Sequence, residues 1–126
     1  MTKCVKLFAL IAACVVATPA LSETSYFTGV TVSTVRIHGS GAFGGCVMVV
    51  GNTNVVSGGS RPLDAYCSTN TVSFACNDSA IQSKTESANM LNIALLAKAT
   101  GGTVQMQVND QKRKNGTCVV DVIAVE

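Results

Sequence analysis

Five short β-strands with one α-helix between the third and the fourth, stapled by two disulfides, are what this sequence predicts: a mainly β chain closed into a small barrel. Three observations carry the prediction. Apolar and polar residues alternate at a period of two in "TVSFAC" and "TVQMQVN", as half-buried strands require. Helical spacing with signals at both ends occurs once, between those two segments. Four cysteines stand in the body of the chain, an even number suited to pairing.

The chain opens with a segment that is not part of the fold. Lys3 and Lys6 precede the apolar run "LFALIAACVVA", and small residues at Ala20 and Ser22 fit a cleavage site before Glu23. Residues 1–22 therefore read as a secretory signal peptide and 23–126 as one domain. The apolar run falls short of the ~20 residues a membrane-spanning helix needs, so no membrane span is expected. Nine Lys and Arg face seven Asp and Glu; two of the lysines leave with the signal, so seven of each remain and the net charge is zero. Nothing in that balance points to nucleic acid or an anionic membrane. Cys4 and Cys14 leave as well, and Cys46, Cys67, Cys76 and Cys118 remain. In an exported chain they imply two disulfides and a secreted or periplasmic location. Each bridge is worth ~2–4 kcal/mol, a large share of a small domain's stability.

The elements follow in order. In the first strand Val30 and Val32 share one face, while Val35 and Ile37 sit in the other phase. That change of parity marks a bulge or bend. "GSGAFGG", Gly39–Gly45, is a glycine-rich turn, expected to be a flexible loop. "CVMVV", Cys46–Val50, is a nearly continuous apolar second strand. The polar, turn-rich stretch that follows is long for a loop without structure of its own, and Val55–Val56 read as an extension of the second strand. Val72, Phe74 and Cys76 then point one way in the third strand. "SKTE", Ser83–Glu86, fits a capping box at the start of the helix. Met90, Leu91, Ala94, Leu95 and Ala97 make its apolar face, and Gly101 its left-handed stop. In the fourth strand Val104, Met106 and Val108 oppose Gln105, Gln107 and Asn109. "DQKRKNG" is a turn with three adjacent cations, and "CVVDVIAVE" a last strand apolar enough to be buried on both sides.

Five strands with a helix between the third and fourth is the order of the OB-fold barrel; an open α+β sandwich uses the same elements. The barrel order also bears on the disulfides. Cys46 opens the second strand and Cys76 closes the third, its antiparallel neighbour. Cys67 precedes the third strand and Cys118 opens the fifth, and these two strands lie parallel in this fold. The order favours Cys46–Cys76 and Cys67–Cys118, although four cysteines allow three connectivities.

Candidate chemistry is sparse. "GSGAFG" matches the dinucleotide pattern G-x-G-x-x-G, but a valine-rich strand follows where a helix N-terminus is needed to hold pyrophosphate. His38 is the only histidine and reads as a turn residue. Asp64, Asp78, Glu86, Asp110 and Asp121 form no general acid/base pair by spacing, Glu86 being explained as a cap. No C-x-x-C pair is present, so no metal or other cofactor is expected, and nothing calls for an enzyme. Lys112, Arg113 and Lys114 are the densest charge. They read either as a solvated hairpin tip or as an anion contact in the loop between the last two strands. In OB-folds that loop and the one between strands one and two flank the binding face. Nucleic acid is disfavoured, since Phe74 is the one aromatic on strands two and three and tryptophan is absent. Asn77-Asp78-Ser79 and Asn115-Gly116-Thr117 match N-glycosylation acceptors, relevant in a eukaryotic source.

The segment "YFTGVTVS" at Tyr26–Ser33, Cys46 at the start of the second strand, "FAC" ending at Cys76, and "ATGGTV" at Ala99–Val104 together resemble the B subunits of bacterial AB5 toxins of the subtilase-cytotoxin and typhoid-toxin type. The likeness runs from about Tyr26 to Val108. It implies an OB-fold, a pentameric ring as homo-oligomer, a catalytic toxin subunit as partner, and sialylated host glycans as ligands. Thr28 stands where that family has a serine that contacts sialic acid, and a hydroxyl there can hydrogen-bond a sugar carboxylate. Val108 stands where those subunits carry tyrosine. "VSFAC" and "NGTC" also resemble small exported bacterial proteins of unassigned role. The candidate ligand-binding residues are thus Tyr26, Phe27, Thr28, Lys112, Arg113 and Lys114, with Tyr26 and Phe27 alternatively packing the barrel end. The rival reading is a periplasmic protein-interaction or inhibitor protein that uses the glycine-rich loop or a strand edge.

Overall fold

The computed structural model describes residues 24–51, 54–57 and 62–126; the expected signal peptide, 1–22, lies outside them. The elements run β1 (Thr24–Ile37), β2 (Cys46–Val50), β3 (Asn54–Ser57), α1 (Leu63–Cys67), β4 (Thr71–Ser73), α2 (Lys84–Thr100), β5 (Thr103–Lys114) and β6 (Thr117–Val125). Five strands close a ring in the order β1–β2–β4–β6–β5 and back to β1, with β4 and β6 parallel and the other neighbours antiparallel. This is the OB-fold barrel, with α2 in the interval between the third and fourth ring strands.

The long first strand serves two partners because it bends. Its first half pairs with β5 and its second half with β2, Ile37 opposite Cys46. The register slips between Phe27 and Val30 on the β5 side and between Val32 and Thr34 on the β2 side. The second slip falls where the apolar pattern changes phase: Val30 and Val32 are buried, and Ile37 is exposed. A bulge turns the strand without interrupting the sheet. The Val55–Val56 segment belongs to β3, which runs beside Tyr26–Thr28 on the edge of β1 that β2 occupies further along.

Inward residues of every ring strand fill one core: Phe27 and Val30, Met48, Val72, Met106 and Val108, Val120 and Ile123. α2 closes one end of it. Its start is the expected capping box, with Ser83 Oγ accepting from the Glu86 backbone N–H at 3.3 Å and the Glu86 carboxylate accepting from the Ser83 N–H at 3.3 Å. Gly101 ends it with φ 71°. The helix face differs from the expectation at one residue. Ala94 and Ala97 are buried with Met90, Leu91 and Ile93 packed around them, but Leu95 and Leu96 stay 44% and 55% exposed. Between Met90 and Ala97 only Asn92 is polar, so spacing alone does not say which apolar residues meet the barrel.

Cys46–Cys76 and Cys67–Cys118 are both formed, with Cα–Cα distances of 5.7 and 5.4 Å. The first joins the start of β2 to the segment after β4. The second fixes α1 to the start of β6. Two such bonds fit an oxidising compartment. No described helix is long and apolar enough to cross a membrane. The last strand is buried on both sides only as far as Val120; beyond it Asp121 and Ile123 alternate with the 48%-exposed Val122. The polar stretch before β4 holds an unforeseen helix, α1, because Leu63, Tyr66 and Cys67 are carried into the core on one side of it.

Candidate functional site

The residues around the start of β1 divide by strand alternation. Phe27 points inward, is fully buried, and meets the Tyr66 ring edge-on at 6.3 Å. It is a core residue, which leaves no ring face for a ligand. Tyr26 is 46% exposed, and Thr28 is half-buried opposite Asn54. Beside Thr28, the Gly29 N–H donates to Glu126 Oε2 at 2.8 Å, tying the bulge to the end of the chain.

The three cations do not form a loop. β5 runs on through Lys114, and the turn contains only Asn115 and Gly116, with φ of 49° and 80°. Asn-Gly with both φ positive is the type I′ hairpin turn, whose twist lets the strands continue to its edge. Each cation has a protein partner. Lys112 Nζ lies 2.7 Å from Asp121 Oδ1, and Lys114 Nζ lies 2.6 Å from Asp78 Oδ2. That ammonium, by its hydrogen bond, holds the Asp78 carboxyl below the usual carboxylate range. The Arg113 guanidinium donates to the carbonyls of Tyr66 at 3.0 Å, Asp110 at 2.8 Å and Gly116 at 3.3 Å. A planar fork satisfies several carbonyls at once, so Arg113 acts as a clamp between α1 and the hairpin. Phe27 and Arg113, far apart in sequence, thus meet α1 at the same residue, Tyr66.

A cleft of about 210 Å³ lies elsewhere, between the β1–β2 loop and the Asn115–Gly116 turn. Its floor is the outer side of β2. Cys46, Met48 and Val50 face the core, so Val47 and Val49 face out, where a barrel strand ordinarily carries polar residues. Val47 is nevertheless only 3% exposed. Arg36 and His38 enter from the end of β1 and the residue after it, Asn115 from the hairpin turn, Thr69 from the approach to β4 and Thr71 from its first position. Phe43 forms the aromatic wall, 39% exposed, its ring 5.6 Å from the His38 imidazole.

The loop that carries Phe43 is ordered by hydrogen bonds rather than left as a flexible connection. The His38 N–H donates to the Gly45 carbonyl at 2.6 Å, and the Asn77 N–H to the Gly44 carbonyl at 2.8 Å. The Ser73 hydroxyl, buried under the loop, donates to the Phe43 carbonyl at 2.6 Å. Phe43 itself sits at φ 53°, a conformation that a bulky residue adopts only when its surroundings impose it. Gly44 is required beside it: a Cβ there would lie 2.6 Å from Ser73 Oγ and 3.0 Å from the Ala75 Cα, with φ at +82°. The loop's glycines therefore serve a close backbone approach that presents an aromatic ring, and no helix follows them to hold a nucleotide.

Among the described residues no three His, Cys, Asp or Glu side chains cluster, so no metal-ligand set is defined. No family model, curated protein or solved structure matches the chain. Arg36, His38 and Phe43 stand in no sequence pattern that marks a ligand contact. Two indirect signals for them existed: the unbroken apolar run "CVMVV", which gives β2 a covered outer face, and the expectation that the β1–β2 and β5–β6 loops flank a binding face.

Proposed function

We propose that the protein is an exported, disulfide-stapled binding module that acts by recognition, with a glycan or glycoconjugate as partner. The cleft on the outer side of β2 carries this reading: an apolar floor, one aromatic wall held at an unfavourable φ, and polar groups converging from three segments. Pockets of that make-up are the usual form of a small-ligand site. An aromatic ring flanked by hydroxyls and an amide suits a sugar, which offers an apolar face and polar edges. The toxin-B-subunit resemblance adds the expectation of sialylated glycans, a pentameric ring and a catalytic partner subunit, with Tyr26 and Thr28 as a contact at the start of β1. The two disulfides support export to the periplasm or beyond.

A glycan array on the oxidised protein tests the proposal, with Phe43→Ala and Thr28→Ala alongside. Binding lost with Phe43→Ala places recognition in the cleft. Binding lost with Thr28→Ala alone places it at the toxin-like position, and a blank array removes glycan recognition. Size-exclusion mass decides the ring: a monomer rejects it. The rival reading, a protein-interaction or inhibitor module, is favoured by Leu95 and Leu96, two exposed leucines side by side on α2. Co-purification of a protein partner that Leu96→Glu abolishes would bear it out.

A further inference from the structure

We infer that the cleft takes a compact anionic ligand, one carboxylate or phosphate group on a small ring, with Arg36 as its anion anchor and Phe43 as its apolar wall. The inference rests on the reading of the cleft as the binding face and assigns the chemistry of what enters it.

The first observation concerns charge that is left over. Lys112, Arg113 and Lys114 are each engaged by acceptors of the fold. Arg36 is not: among the described residues no carboxylate or carbonyl accepts from its guanidinium. It lines the cleft, and no acidic side chain lines it with it. His38 adds a second nitrogen donor or acceptor at the rim, and no lining group carries a negative charge. A guanidinium without an internal acceptor, facing an acid-free cavity, matches the planar two-oxygen edge of a carboxylate or phosphate.

The second observation concerns size and shape. At about 210 Å³ the cleft is smaller than the ~300–1,000 Å³ of a pocket for a drug-sized molecule. It holds one small ring rather than a length of polymer. Val47 and Val49 beneath and Phe43 at the side cover the apolar face of such a ring. The Thr69 hydroxyl accepts from the Thr71 N–H at 2.7 Å and so keeps its own proton to donate to a ligand oxygen. The third observation is backbone strain at this wall, where Phe43 sits at φ 53°. The Phe43 backbone is held by Ser73 from below and by the packed glycine at 44, which fixes the segment that carries the ring before any ligand arrives. Rigid placement of an aromatic reduces the ordering cost of binding.

The site is distinct from the start of β1. Thr28 and Arg36 are eight positions apart along one strand, on the order of 26 Å at full extension and less after the bulge.

The test is an amide NMR titration of the oxidised full-length protein with three probes: glucuronic acid, glucose 6-phosphate and glucose. Saturable shifts at His38–Gly45 and Asn115–Thr117 are expected with a charged probe and not with glucose, and whichever charged probe is tighter tells carboxylate from phosphate. Arg36→Gln is expected to weaken that binding at least tenfold while leaving the amide fingerprint and Tm in place, since the Arg36 side chain makes no hydrogen bond or ion pair within the described fold. Arg36→Lys restores charge without the fork and is expected to recover only part of the affinity. Unchanged binding in Arg36→Gln overturns the inference. So does glucose moving the same amides as strongly; that outcome keeps the cleft as a binding face. Failure of all three probes to move those amides, together with a blank glycan array, overturns the inference and the binding-face reading together.

Discussion

Lys112–Lys114 and Arg36 make an instructive contrast. The first is the densest charge in the sequence, and the fold consumes all of it: two lysines pair with Asp121 and Asp78, and Arg113 clamps carbonyls around α1. The second is a single cation in a valine-rich strand, and it faces a cleft with no acceptor of its own. Charge density along a chain reports where a protein is polar. Whether a charge is available to a partner depends on which acceptors the fold brings to it.

The contrast can be broken or sharpened in order of effect. Replacing Cys67 and Cys118 with serine should be the most damaging, ~2–5 kcal/mol, because the bond holds α1 against the start of β6. A loss of unfolding free energy of that size in denaturant titration, larger than for any variant below, would check it. Arg113→Ala should follow, at ~1–3 kcal/mol, from losing charge-assisted bonds to several carbonyls. Arg113→Lys should recover little of this in the same unfolding curves, since an ammonium cannot reach those acceptors together. If Arg113→Ala were neutral in stability, the hairpin would regain its standing as a free anion contact.

A smaller effect attaches to Asp78. Its carboxyl titrates lower in the folded protein than in the unfolded chain because of Lys114. The stabilisation is therefore present above the unfolded value of ~3.9 and is lost as pH falls through the lower folded value. Asp78→Asn should flatten the acid limb of a stability-versus-pH curve and change little at pH 7, the pair being partly exposed. Arg36→Gln should be the mildest for the fold, within ~0.5 kcal/mol, as expected of a surface side chain without partners. A thermal shift much beyond that would show Arg36 to be structural and remove its role as anchor.

Much of the architecture is readable from local pattern. The capping box at Ser83, the left-handed stop at Gly101 and the alternation of Val104, Met106 and Val108 are each contained within a few residues, so they survive as signals in one sequence. The change of apolar phase after Val32 foretold the bulge. The cysteine pairing followed once the strand order was known. α1 escaped because its five residues show barely one helical turn of pattern, and its place is decided by Tyr66 packing on Phe27 across the barrel. The extent of β5 escaped because three cations look like a loop until acceptors from elsewhere neutralise them. The site was legible only in outline. The loops that flank it were anticipated, but the cleft is assembled from the end of β1, the loop after it, β2, the approach to β4 and the β5–β6 turn.

What the chain determined by itself is the set of elements, their order and the compartment its cysteines suit, because periodicity, caps and cysteine placement act over one or two turns of chain or through strand order. Tertiary structure alone decided which exposed groups remain for a partner. That depends on pairing and desolvation between segments remote in sequence, as when Ser73 fixes Phe43 thirty residues before it and Arg36 is left facing a cleft lined by no acidic side chain.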